Sequence, residues 1–340
     1  MATGKKKSKK FWKVLLIIVL VPAAILVGAR LFFRLPVSGY YKASTAAFTI
    51  PGLSDGYVPQ GLEYRADNNT FLLTGYQKDG GASPVYVVDR ATGETLKKVT
   101  LKTAEGDVIA SHSGGLAAHN GLLYVCDGGI DGLRVFSLAD LDATEDGGVL
   151  TETGTVSLSA GGDHIGPAFV TAGPEGLVVG EFYIAVHYET PKSHYVGDHH
   201  SLALLLPYDE SDPTGVAAPT VAYSIPDLAQ GMCFDNDGQM YVSESWGVSF
   251  SKIEVFAPGK PSGEIAVLGT TLPLTVLDEN NRVSVAKLPP MSEEIVILDG
   301  KLLYTNCESA SQKYYFGLLT GGRSLYGTEL DYVLADTKGE

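Results

Sequence analysis

Five carboxylates and two imidazoles recur at matching places along this chain. Asp127, Glu181 and Glu244 each end a short apolar run, and Glu308 follows another that ends at Cys307. Glu293, His112 and His164 stand just before or at the start of such runs, as do Gln60 and Gln230, and Tyr76 ends the first. Carboxylates crowded together repel unless something compensates. A divalent cation with oxygen ligands, calcium or magnesium, is one compensation. A carboxyl with a raised pKa, serving as a general acid or base, is another. No Gly-x-Ser-x-Gly elbow, nucleotide-binding loop or zinc-protease helix occurs.

These groups can meet only if the elements carrying them are arranged around a common centre. The unit that carries them is an apolar strand, a tight turn, a second apolar strand and a polar residue. Ala229–Phe234, the turn Asn236-Asp237-Gly238 and Met240–Glu244 form its plainest copy. Taking the apolar residue after each entry as an anchor gives Leu62, Leu116, Phe169, Met232 and Ile295, spaced by 54, 53, 63 and 63 residues. Each step holds about four strands, the period of a β-propeller blade. A four-stranded sheet cannot bury both faces alone, so the sheets must stack around an axis.

The expected fold is therefore all-β, a propeller of five four-stranded blades, or six if residues 257–290 hold a further one. Two packed β-sandwiches are the rival arrangement. Tyr40–Ile50 is placed to supply the outer strand of the fifth blade and close the ring. In such a wheel the entry of the first strand and the exit of the second lie on one face near the axis. That gathers Gln60, Tyr76, His112, Asp127, His164, Glu181, Gln230, Glu244, Glu293 and Glu308 into a candidate ligand-binding funnel. The long connection after Glu181, with His187, His194, Asp198, His199 and His200, should overhang it.

The first 34 residues differ in kind. Six lysines between Lys5 and Lys13 precede the uncharged run Val14–Ala29, which continues past Arg30 to Phe33. Val14–Phe33 is long enough, at about 1.5 Å per residue, to cross a hydrocarbon core. Lysines on the N-terminal side place that end in the cytoplasm, with Trp12 at the interface. A cleaved signal peptide is the alternative, with small residues at Val27-Gly28-Ala29. The expected organisation is a basic cytoplasmic tail (1–13), a transmembrane signal anchor (14–33), a linker and closing strand (34–54) and an extracellular propeller (55–340) on a single-pass membrane protein. Residues 1–34 hold eight Lys/Arg and no Asp/Glu. Of the chain's 25 basic and 39 acidic residues this leaves 17 against 39, a net −22 for the rest. Such a domain repels nucleic acid. Cys126, Cys233 and Cys307 lie in or beside apolar runs and read as buried core residues.

Gln60-Gly61-Leu62, Asp89-Arg90-Ala91-Thr92-Gly93 and Leu122-Leu123-Tyr124-Val125 resemble the repeats of a broad propeller superfamily. That group includes gluconolactonase-type lactonases, strictosidine-synthase-like proteins and related bacterial secreted propellers. The resemblance spans roughly residues 55–335. It implies, for lactonase-type members, an acidic metal ligand at the entry of the first blade. This chain has Gln60 there, with Glu63 close by. The expectation is a membrane-anchored module that binds an extracellular ligand or acts as a scaffold through its funnel. The alternative is a divalent-cation-dependent, lactonase-like hydrolase using the same funnel.

Overall fold

The computed structural model describes residues 4–335. Its body is a five-bladed β-propeller. Blade 1 is built from Tyr57–Arg65, Thr70–Gln77, Pro84–Asp89 and Thr95–Lys102. Blade 2 comprises Leu116–His119, Leu122–Asp127, Gly132–Ser137 and Gly154–Ser157. Blade 3 comprises Pro167–Ala172, Gly176–Glu181, Ser201–Pro207 and Val221–Ile225. Blade 4 comprises Ala229–Phe234, Met240–Glu244, Ser251–Phe256 and Arg282–Leu288. Blade 5 comprises Ser292–Leu298, Leu302–Cys307 and Ser324–Glu329, and its outer strand is Ser44–Thr49 from the other end of the chain. The ring thus closes as the pattern of Tyr40–Ile50 predicts.

Residues 257–290 hold no sixth blade. The hairpin Gly263–Val267/Thr270–Val276 lies parallel to the outer strand of blade 3. Arg282–Leu288 completes blade 4. Val149–Thr151 covers the outer edge of blade 1 in the same way. Both additions pair a sheet edge that would otherwise be open to another chain.

The core is divided as the architecture demands, with one apolar cluster between each pair of neighbouring blades. Leu72, Leu101 and Phe136 lie between blades 1 and 2. Tyr124, Leu177 and Leu204 fill the next interface, and Phe169, Met232 and Phe256 the third. Tyr241, Ile253 and Leu303 join blades 4 and 5. Phe71, Tyr86 and Tyr304 join blade 5 back to blade 1. The three cysteines are buried and free.

At the axis the inner strands come very close. The five anchors are all buried. The residues before them are Gly61, Gly115, Ala168, Gly231 and Glu294. A Cβ at Gly231 would lie 2.7 Å from Glu294 Cα, and one at Gly115 would lie 2.7 Å from Phe169 Cα. Four small residues therefore leave an axial hole, and the side chain of Glu294 enters it. Its Oε2 accepts the amide of Leu62 at 2.5 Å and that of Leu116 at 3.2 Å, on blades 1 and 2. Asn306, fully buried, donates to the carbonyls of Gln60 and Gly61 across the closing interface. Backbone groups on the inner edges, which lack a strand partner, are thereby paired.

The N-terminal helix runs from Gly4 to Arg34 and is long and apolar enough to cross a membrane. The segment after it, expected to begin as linker, is helical. Leu35–Val37 and Ser38–Lys42 are two short helical turns with Val37 and Tyr40 buried against blades 4 and 5.

Because the conflict at Gly231 is with backbone, an added methyl group must push two inner strands apart. Gly231→Ala should lower stability by about 1–3 kcal/mol. It would be read as a lower urea midpoint with an unchanged slope. An unshifted midpoint would show that the inner strands are free to move.

Candidate functional site

A cavity of about 640 Å³ opens at the axis on the face where first strands enter and second strands leave. Every blade or its connections contribute to its wall. The local device is a β-bulge. In blades 1, 3, 4 and 5 the inner strand slips register at its entry, at Pro59–Leu62, Pro167–Phe169, Ala229–Gly231 and Ser292–Ile295. Bulges bend a strand and re-aim its side chains. Here they lie where Gln60, Gln230 and Glu293 meet the cavity. Blade 2 has no such slip, and the segment before it supplies His112 and Ser113 instead.

Gln60 organises one side of the floor. Its amide nitrogen donates to Glu308 Oε2 at 3.0 Å and to the carbonyl of Pro59 at 2.8 Å. Its oxygen accepts from His112 Nε2 at 3.0 Å. Burial, and then the charge of Lys313, pull the His112 pKa down to about 4. The ring is therefore neutral, with its proton on Nε2 and a lone pair on Nδ1. Burial drives Glu293 well above the usual carboxylate range, and Glu308 adds to the shift. Burial likewise lifts Glu308 to about 7, against the pull of Lys313 and Gln60. Tyr76 stands behind His112, with ring centroids 4.3 Å apart, and accepts a hydrogen bond from Lys313. Near neutral pH this floor offers protonated and neutral hydrogen-bonding groups beside one ammonium.

Of the ten residues singled out from sequence, Gln60, His112, His164, Glu181, Gln230, Glu293 and Glu308 line the cavity, and Tyr76 backs its wall. Asp127 and Glu244 do not line it. Asp127 Oδ2 accepts from Arg134 Nε at 2.6 Å, and Arg134 also binds Glu152. Glu244 pairs with Lys252 at 2.8 Å and borders a separate cavity of about 620 Å³. Both cations sit on third strands, one hairpin away, where they reach the exit carboxylate before the axis does. Glu181 reaches the cavity wall but is also engaged. It accepts from His194 Nδ1 at 2.9 Å, while His194 Nε2 faces Asp163 at 3.1 Å. Burial opposes the charged form of His194, and the two carboxylates outweigh it, so the imidazole pKa is raised.

The exits Asp127 and Glu244 therefore serve the frame, whereas the entries and the blade 5 connection form the floor. Among the described residues no group of three or more His, Cys, Asp or Glu is arranged to hold a metal ion. Sequence reasoning missed the lip. Phe182, Tyr188 and Trp246 border the opening, with centroids 5.8 to 6.2 Å apart. They lie in the connections just after Glu181 and Glu244, and that position is the signal that could have found them.

The chain matches no protein-family profile and no curated protein sequence. Among solved structures it is similar to Myxococcus xanthus glutaminyl cyclase, at 10% identity over 84% of this chain and 94% of that one, with a TM-score of 0.44. It is also similar to the PQQ-bound aldose sugar dehydrogenase of Streptomyces coelicolor, at 14% identity over 83% and 95%, with a TM-score of 0.44. These are likenesses of propeller fold alone.

A carboxyl whose pKa rises on folding favours the folded state while it stays protonated. Its contribution is complete below the unfolded value of 4.5 and is lost as pH rises through about 7 for Glu308. Glu308→Gln should therefore match the parent in thermal midpoint at pH 5 and exceed it at pH 8, by about a few degrees. Equal differences at the two pH values would contradict the shifted carboxyl.

Proposed function

We propose that this chain is a membrane-anchored propeller that takes a small ligand into its axial funnel. The apolar N-terminal helix supports the anchor, and the lysines before it favour an outward-facing propeller. The carrying observation is the division of the cavity into two chemistries. An aromatic lip, with Phe182 and Trp246 tilted 37° to each other and Tyr188 edge-on to both, stands above a hydrogen-bonding floor of Gln60, His112, Glu293 and Glu308. Aromatic faces take up an apolar or ring-shaped body, while a few placed polar groups fix orientation. The fitting ligand has one polar, uncharged end and one apolar part.

A hydrolytic reading is favoured by one observation, the neighbouring carboxyls of Glu293 and Glu308 with raised pKa values on the same floor. Such a pair can give and receive a proton near neutral pH. Its cation-dependent form would need oxygen ligands that converge. Glu181 is held by His194, and no converging set occurs among the described residues. No step is assigned through a metal.

Ligand-induced thermal shift on the full chain separates these readings. Small amphiphilic molecules that raise the midpoint should lose their effect in both Gln60→Ala and Trp246→Ala. At a hundredfold excess over Kd, binding adds about 2.7 kcal/mol. Hits that survive both substitutions would place binding outside the funnel. A saturable shift with calcium or magnesium, abolished by Glu293→Gln with Glu308→Gln, would favour the cation-dependent enzyme instead.

A further inference from the structure

The membrane helix does not leave the propeller at an arbitrary place. Phe33, at its end, is buried with its ring 6.5 Å from Phe250 and 5.8 Å from Phe316. Arg34 lies over the ring of Tyr41, whose hydroxyl donates to the carbonyl of Thr320. Phe250 lies in the connection after the second strand of blade 4, residues 245–250. Phe316 and Thr320 lie in the corresponding connection of blade 5, residues 308–323. Second strands exit on the funnel face. The helix is thus docked beside the funnel mouth, and the buried turns after it leave no slack to swing the propeller away.

The same face carries bulky apolar side chains that are exposed. Val186, Tyr188, Trp246, Val248, Tyr315 and Leu318 are all exposed, Val186 at 86%, Tyr315 at 68% and Leu318 at 65%. All six lie in the second-strand connections of blades 3, 4 and 5. Val248 is two residues from Phe250, and Leu318 is two from Phe316, so the patch continues directly from the helix contact. Val186 and Tyr315 hold positive φ angles of 73° and 58°, a costly conformation for such side chains. The chain has two tryptophans. Trp12 precedes the apolar run, and Trp246 lies in the same blade 4 connection as Phe250, which meets the run's far end; aromatic residues of this kind mark the two membrane interfaces.

We infer that the funnel face is a membrane-docking surface, seated on the outer leaflet of the bilayer that the chain's own helix crosses. This rests on the proposed membrane anchor. The patch works by apolar and interfacial contact. The propeller is strongly acidic, so its docking does not depend on anionic lipid. The funnel mouth then opens at headgroup depth, within reach of amphiphiles resident in that leaflet.

The test uses the full chain in phosphatidylcholine vesicles, with part of the lipid brominated near the headgroup end of its acyl chains. Trp12→Phe leaves Trp246 as the sole tryptophan. Its emission should be roughly halved by brominated lipid relative to plain vesicles, as for an interfacial ring, and should not recover in high salt. Trp246→Phe leaves Trp12 and reports helix insertion. Quenching of Trp12 with none of Trp246 would overturn the docking surface while leaving the anchor intact. No quenching of either would remove the anchor reading, and docking with it.

Discussion

Five sheets around one axis force their inner strands so close together that almost nothing fits between them. At the position before each anchor, blades 1, 2 and 4 carry glycine and blade 3 carries alanine. Blade 5 carries Glu294, which occupies the space the others leave. A carboxylate suits that place because the inner edge of each sheet offers amides with no strand to pair with. Glu294 binds two of them, on blades 1 and 2, while belonging to a third blade. Burial lifts its pKa well above the usual range. Glu63 repeats the device, accepting from Tyr64 and from Ala118 of the next blade, with burial raising its pKa to about 7. Hydrogen bonds to buried backbone groups offset part of what desolvating the acids costs.

The plug gives the funnel its character. Glu293 and Gln60, neighbours in sequence of Glu294 and Gly61, are turned to the other side of the closed axis by the entry bulges. Close packing below and bulging above are two consequences of the same crowded entry. The floor gathers entry residues, and the second-strand connections, longest in blades 3 and 5, build the lip. The connections of blades 4 and 5 also receive the helix, so one face of the wheel carries the cavity, the aromatic rim and the attachment to the apolar N-terminal helix.

Much of this was legible in the sequence. The five anchors, the four-stranded period and the closing strand at Ser44–Thr49 all follow from apolar runs and turns that local chemistry specifies. The helix follows from a run of uncharged residues. That the entries lie on one face was legible too, since it follows from strand order, while the bulges that aim Gln60, Gln230 and Glu293 were not. Asp127 and Glu244 fall elsewhere than expected because the fate of a carboxylate depends on what lies across the sheet. Arg134 and Lys252 capture Asp127 and Glu244 through register, which no single strand reveals. Residues 257–290 read as a possible further blade, yet the hairpin within them joins blade 3 by a parallel pairing that local sequence cannot specify. The start of the 34–54 segment reads as linker running into a strand at Tyr40, since the apolar surface that packs Val37 and Tyr40 comes from distant blades.

The closed wheel depends on the axial carboxyl as a partner for inner-edge amides. Residue-resolved amide hydrogen exchange on the full chain tests that role most directly. The amides of Leu62 and Leu116 should exchange as slowly as those in the middle strands of their blades, although neither has a strand beyond it. Exchange at the rate of exposed turns would mean that Glu294 does not hold them and that the axis is open.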